Sequence, residues 1–93
     1  MTWTVLQTRR FARTYKKLHE RQAADVDEAV AAVADDPDRG EQKKGDLAAL
    51  WVYKFHSQGQ LFLLGYSREY TLRLISLEAI GPHENFYRDL KRG

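Results

Sequence analysis

Near the end of the sequence His83 and Tyr87 stand four residues apart, the spacing that brings two side chains to one face of a helical turn, where they can share a substrate. Further back, Lys54 and His56 alternate with Trp51, Tyr53 and Phe55 in a run that reads as a strand, so the basic pair points one way and the aromatic row the other. Such a sheet can pack its aromatic side on helices and turn its basic side to a phosphate, with His56 carrying a proton and Lys54 clamping charge. Each residue also has a plainer role open to it. His83 can be a turn residue after Pro82, Tyr87 a core aromatic, and Lys54 and His56 a solvated strand face. Arg73, at alternate spacing in the last apolar run, and the adjacent Lys43 and Lys44 are further candidates for phosphate contact. His19 reads as structural.

No metal and no cofactor is expected. His56 and His83 can meet in space, but no His-Glu-x-x-His motif and no strand of paired carboxylates accompanies them. There is no glycine-rich loop of the P-loop or dinucleotide type. The absence of cysteine excludes a disulfide scaffold, a thiol nucleophile, a Cys-ligated zinc site and an iron–sulfur cluster.

The elements that must position these side chains can be read from the apolar periods. Residues 3–8 are β-branched and aromatic and predict a short first strand. A helical period follows, with Phe11, Tyr15 and Leu18, then Val26, Val30 and Val33. One unbroken helix over residues 10–34 would be about 37 Å long and would overhang a globule of this size, whose radius of gyration is about 12 Å. A helical hairpin bending at residues 19–23 is therefore expected, ended by the Asp36-Pro37-Asp38-Arg39-Gly40 turn. After a polar loop over residues 41–46, strands are predicted at residues 50–57, 60–66 and 71–80, with turns at Gln58-Gly59 and residues 67–70. The middle run is nearly continuous in apolar residues and suits a central strand buried on both faces. Gly81-Pro82 should stop the last strand before a tail over residues 83–93 that can hold one short helix. The fold class is α+β, with the helices packed on one face of a four-stranded sheet.

At 93 residues the chain is expected to form a single domain, 1–93, with a largely apolar core. No run approaches the roughly 20 apolar residues of a membrane span and no signal segment opens the sequence, so a cytoplasmic location is expected. The net charge of +2 hides a partition along the chain. Residues 1–22 carry +5, from Arg9, Arg10, Arg13, Lys16, Lys17 and Arg21 against Glu20, residues 23–42 carry −6, and residues 43–93 carry +3. Confining the acidic charge to one segment leaves basic surfaces that attract a polyanion, unless they serve only as a solvated helix face.

Several segments together resemble the RelE/ParE superfamily of bacterial type II toxins. They are the hairpin ending Ala34-Asp35-Asp36-Pro37, the loop Lys43-Lys44-Gly45-Asp46-Leu47, the strand Trp51-Val52-Tyr53-Lys54-Phe55-His56, and the ending Ile80-Gly81-Pro82-His83-Glu84-Asn85-Phe86-Tyr87. The last is most similar to the ending of YafQ-type toxins, in which a histidine and an aromatic four residues later belong to the active site. The resemblance covers the whole chain. One run departs from it: many members place an arginine in the third strand, where this chain has Leu61-Phe62-Leu63-Leu64.

The resemblance implies a toxin. Its RelE branch cuts messenger RNA in the ribosomal A site, whereas its ParE branch inhibits DNA gyrase without being a nuclease, and both are neutralised by a small antitoxin. Metal-free RNA cleavage needs a base for the 2′-hydroxyl proton, an acid for the 5′-oxygen and cations for the phosphorane-like transition state. Carried over, His83 becomes acid or base, His56 the second proton carrier, Lys54 the charge clamp, and Tyr87 the aromatic that meets the nucleotide. Arg73, Lys43 and Lys44 would touch phosphate. Arg9, Arg10, Arg13, Lys16 and Lys17 would give a salt-dependent ribosomal RNA footprint. The expected partners are a cognate antitoxin, the ribosome and messenger RNA, with gyrase as the alternative and no membrane. A non-toxic RNA-binding or antitoxin-sequestering module on the same scaffold is a third reading.

Overall fold

A computed structural model describes residues 3–91. The chain opens with strand β1 (Thr4–Gln7), shorter than the residues 3–8 that propensity suggests because Thr8 leaves the ladder to cap a helix. Its side chain accepts the Phe11 N–H at 3.2 Å, and its hydroxyl lies 3.0 Å from the Leu77 carbonyl oxygen. One residue thus starts helix α1 (Arg9–Lys16) and ties that start to the sheet. The helical region then breaks at residues 17–19. The N–H of Lys17 returns to the Thr14 carbonyl, and the N–H of His19 donates to the Gln22 side chain as helix α2 (Glu20–Asp35) begins. The bend therefore falls at the near edge of the expected 19–23, and His19 has the structural role expected of it. The longest extent of the described residues is 34 Å, shorter than the roughly 37 Å that one unbroken helix would have needed.

The remaining strands are β2 (Glu41–Gln42), β3 (Trp51–Ser57), β4 (Gln60–Glu69) and β5 (Leu74–Pro82), followed by helix α3 (His83–Lys91). They form one sheet of order β1-β5-β4-β3-β2, in which β1 runs parallel to β5 and every other pair is antiparallel. Three boundaries differ from the sequence reading. The sheet has five strands rather than four, because the polar loop contributes β2, a pairing of two residues too short to show any alternation. β4 runs on through residues 67–69, since Ser67 and Arg68 find partners on the sheet, and the turn moves to residues 70–73. β5 includes Gly81 and Pro82, paired with Leu63 and Phe62, so the strand ends at the proline and not before it. β3 and β4 are joined by a tight turn in which Gln58 and Gly59 both take positive φ, 54° and 76°.

The helical hairpin covers one face of the sheet, as expected, and the C-terminal helix α3 covers part of the other. On the first face Phe11 of α1 and Val26, Ala29 and Val33 of α2 pack against Phe62, Leu64, Tyr66, Ile75, Leu77 and Ile80, flanked by the Trp51, Tyr53 and Phe55 row. On the second face Phe86 of α3 packs against Leu50, Val52, Leu63 and Ala79. A bulge at Glu78, where β5 spends one more residue than β4, switches parity so that Leu77 faces the helical hairpin and Ala79 faces α3. The α3 helix sits close because residue 65 is glycine: a Cβ there would stand 2.8 Å from the Phe86 ring. Among the described residues no helix is long and apolar enough to cross a membrane.

Candidate functional site

Register assembles the site on the α3 face. Antiparallel partners share a face, so Lys54, Leu63 and Gly81 form one row across β3, β4 and β5. His56 pairs with Leu61, and Pro82 pairs with Phe62, so His83, the next residue, starts α3 at the level of His56. Glu41 pairs with Val52 and faces the same way. From His83 the helix lies back over the sheet, which carries Tyr87 one turn along toward β2. The result is an open strip: His83 and His56 at one end, Lys54 in the middle, and Lys43, Glu41 and Tyr87 at the other. His83, His56 and Lys54 are exposed, whereas Tyr87 is half-buried with its ring edge-on to Phe86 at 5.1 Å.

The best-defined contacts are at the Lys43 end. Its ammonium donates to a Glu41 carboxylate oxygen at 3.0 Å and lies 5.7 Å from the centre of the Tyr87 ring. Its side chain keeps only 21% of its exposure. The bond to Glu41, and after it one to Tyr87, raises the Lys43 pKa above the ordinary lysine value, so the cation is firmly held. The Glu41 carboxyl is correspondingly lowered, by the bond to Lys43 first and then by the fields of Lys43, Lys54 and Lys44. The Glu41 carboxylate is thus held by one bond to Lys43 and by the fields of Lys43, Lys54 and Lys44. Nothing in the composition singled Glu41 out, but Glu41 and Lys43 stand two apart, the strand period, in a stretch that read as loop.

The structure puts His83, Tyr87, His56, Lys54 and Lys43 on one side of the sheet, while Lys44, at the start of the short 3-10 turn over residues 45–47, acts on Glu41 only through its field. His56 also borders a shallow depression with Asp25 and Glu28 on α2, an acidic neighbourhood at the outer edge of β3. Arg73 is not brought to the strip. It lies in the turn before β5, at φ 52°, with its carbonyl accepting the Thr4 N–H, and the whole of β5 separates it from His83. Its expected place within the last strand is lost because β4 is longer than its apolar run. The α1 cations form a second surface, since α1 packs on the face opposite Lys54. Arg9, Arg13, Lys16 and Lys17 are exposed there. Arg10 is half-buried and donates to the Leu90 carbonyl at 3.2 Å, tying α1 to the C-terminal end of α3. In β4, at the run Leu61-Phe62-Leu63-Leu64 where the expected arginine is missing, Leu63 is fully buried beneath α3.

A family model described as the ParE-like toxin of type II bacterial toxin–antitoxin systems matches residues 5–91. Solved structures share the fold. The toxin–antitoxin complex RelBE2 of Mycobacterium tuberculosis superposes with a TM-score of 0.78 at 20% identity, covering 89% of this chain and 100% of that one. An arginine double mutant of E. coli toxin RelE in the free state gives 0.75 at 16% identity, over 99% and 93% of the two chains. The archaeal RelE–RelB complex of Pyrococcus horikoshii gives 0.61 at 17% identity, over 88% and 96%. No curated protein sequence matches the chain.

Proposed function

The chain belongs to the ParE-like toxins of type II bacterial toxin–antitoxin systems, and from that premise we propose that it acts as a metal-free, ribosome-dependent endoribonuclease. One observation carries this reading: strand register and α3 place two imidazoles, two lysines and a phenol along a single open strip. Gyrase inhibition has no use for proton carriers gathered in that way.

In this reading one imidazole, at His83 or His56, removes the 2′-hydroxyl proton while the other protonates the 5′-oxygen. The bond from phosphorus to the 2′-oxygen forms as that to the 5′-oxygen breaks. Lys54 and Lys43 stabilise the charge that grows on the phosphoryl oxygens, the phosphate displacing Glu41 from the ammonium groups. Tyr87 stacks on or hydrogen-bonds to the nucleotide. Lys44 and the α1 cations contribute salt-dependent attraction to the ribosome.

RelE-type toxins in the solved complexes assemble with RelB antitoxins. For this chain we assign a cognate antitoxin to the other side of the sheet. There β1 is an outer strand, and beside it a cleft of about 330 Å³ is lined by Val5, Phe11, Tyr15, Asp27 and Val30 among others. The exposed Arg13, Lys16 and Lys17 of α1 suit an acidic segment folding onto this face. These roles put the protein in the bacterial cytoplasm.

Primer extension on ribosome-bound messenger RNA tests the proposal: cleavage inside codons is expected, and its loss in Lys54→Ala and His83→Ala with the fold retained. The second reading, a ParE-like gyrase inhibitor, is favoured by the family model and by the apolar run Leu61-Phe62-Leu63-Leu64, where many members of the superfamily place an arginine. Intact transcripts with collapsing DNA supercoiling would select it.

A further inference from the structure

Lys43 follows the shortest strand of the sheet, and two residues of ladder are too few to hold their own register. Backbone and side-chain bonds within the loop help, from the Lys43 N–H to the Leu50 carbonyl (2.9 Å) and from the Gln42 amide to the Ala48 carbonyl (3.0 Å). The stronger anchors come from the opposite face. Tyr66 is fully buried among the side chains under the helical hairpin, yet its hydroxyl is satisfied twice by the turn before β2. It donates to the Pro37 carbonyl at 2.8 Å and accepts the Gly40 N–H at 3.0 Å. The fit admits only glycine: a Cβ on residue 40 would stand 2.7 Å from that hydroxyl and 2.9 Å from the Val52 carbonyl oxygen.

Two residues along β4, Arg68 grips the same turn. Its guanidinium lies 4.0 Å from the centre of the Trp51 ring and 4.6 Å from that of Tyr70, and it reaches Asp38 at 3.2 Å. Its Nε is buried with no partner among the described residues, so stacking and a single carboxylate hold the group in place.

We infer that Tyr66 and Arg68 are positioning residues for the cleavage strip: by clamping residues 37–40 they fix the register of β2 and, through it, the seat of Lys43 beside Glu41 and Tyr87. Side chains in a strand alternate faces, so a slip of one residue would turn Glu41 to the hairpin side and carry Lys43 away from Tyr87. The clamp and the strip lie on opposite faces, which lets a residue with no access to substrate govern one that has it. The inference rests on the proposed nuclease reading for its effect on rate, but not for its effect on geometry.

Tyr66→Phe removes only the hydroxyl, and Asp38→Asn, at an exposed position, removes the charge that Arg68 meets. Two readouts separate the claims. The first is NMR of the folded protein with carbon-labelled lysine. In both variants the Lys43 titration is expected to move down toward that of an ordinary lysine and its contacts to the Tyr87 ring to weaken. Val26→Ala, a buried change in the first half of α2 and away from the turn, should leave both signals unchanged. The second is steady-state cleavage on the ribosome: kcat should fall about tenfold while KM changes less than about threefold, as for an interaction felt in the transition state. Unchanged Lys43 signals in both folded variants would overturn the inference, as would equal changes in Val26→Ala. Altered Lys43 signals in a protein that never cuts RNA would support the clamp and refute the nuclease reading instead.

Discussion

On the side of the sheet under α1 and α2, ten residues are buried in one cluster, three of them aromatic, and the Tyr66 hydroxyl that enters it is partnered twice. On the α3 side the buried cluster has five members, built around Phe86, and the remaining surface is given to lysine, histidine and glutamate. The same strands supply both. β3 sends Trp51, Tyr53 and Phe55 one way and Lys54 and His56 the other, so the alternation of one strand separates what holds the fold from what can do chemistry. The apolar layer under α1 and α2 holds most of the core, whereas the strip on the α3 side is exposed and polar, so substitutions in the two should have opposite signatures.

The largest effect is expected in the thick layer. Phe62→Ala, at a position 1% exposed, should cost about 3–5 kcal/mol and threaten the folded state, as thermal or urea unfolding will show. Next comes the thin layer's chemistry. Lys54→Ala and His83→Ala should each lower cleavage by about 10²-fold. Each should leave the unfolding transition within about 0.5 kcal/mol of the parent, because both side chains are exposed. If either variant lost its fold instead, the division between faces would be wrong.

Gly65→Ala probes the point where the two layers meet. Its Cβ would press on Phe86 and on Leu50, so a cost of about 1–3 kcal/mol is expected, along with a displaced α3 and slower cleavage through Tyr87 and His83. The smallest effect is a pH dependence that should be absent. The lowered Glu41 carboxyl stabilises the fold above its ordinary value of 4.5, and that contribution is lost as pH falls through its depressed value. The raised Lys43 stabilises below its ordinary 10.5, and that contribution is lost as pH rises through its elevated value. Between about pH 5 and pH 10 the pair should therefore leave stability flat, which urea titrations across that range will check.

Much of this division was legible in the sequence, because alternation and helical period report which side of an element meets apolar neighbours. The Trp51, Tyr53, Phe55 row, the buried run of β4 and the helical hairpin follow from those periods. The rest depends on partners distant in sequence. β2 exists only because Val52 and Trp51 offer it an edge. Residues 67–69 stay in the sheet because Trp51 and Tyr70 stack on Arg68 and Glu78 meets Ser67. α3 lies on the far face because the bulge at Glu78 and the bare backbone of Gly65 make room for Phe86. The candidate site divides likewise. His83, Tyr87, Lys54 and His56 could be chosen by spacing, whereas Glu41 and the clamp of Tyr66 and Arg68 become visible only once β2 is in place.

The central claim is that the strip on the α3 face cuts RNA on the ribosome. It is tested most directly by primer extension on purified ribosomes programmed with a defined messenger, comparing the parent protein with Lys54→Ala at equal folded concentration. The account expects 5′ ends inside the A-site codon with the parent and about 10²-fold fewer with the variant. Uncut messenger with the parent protein, or equal cutting by both, would contradict it.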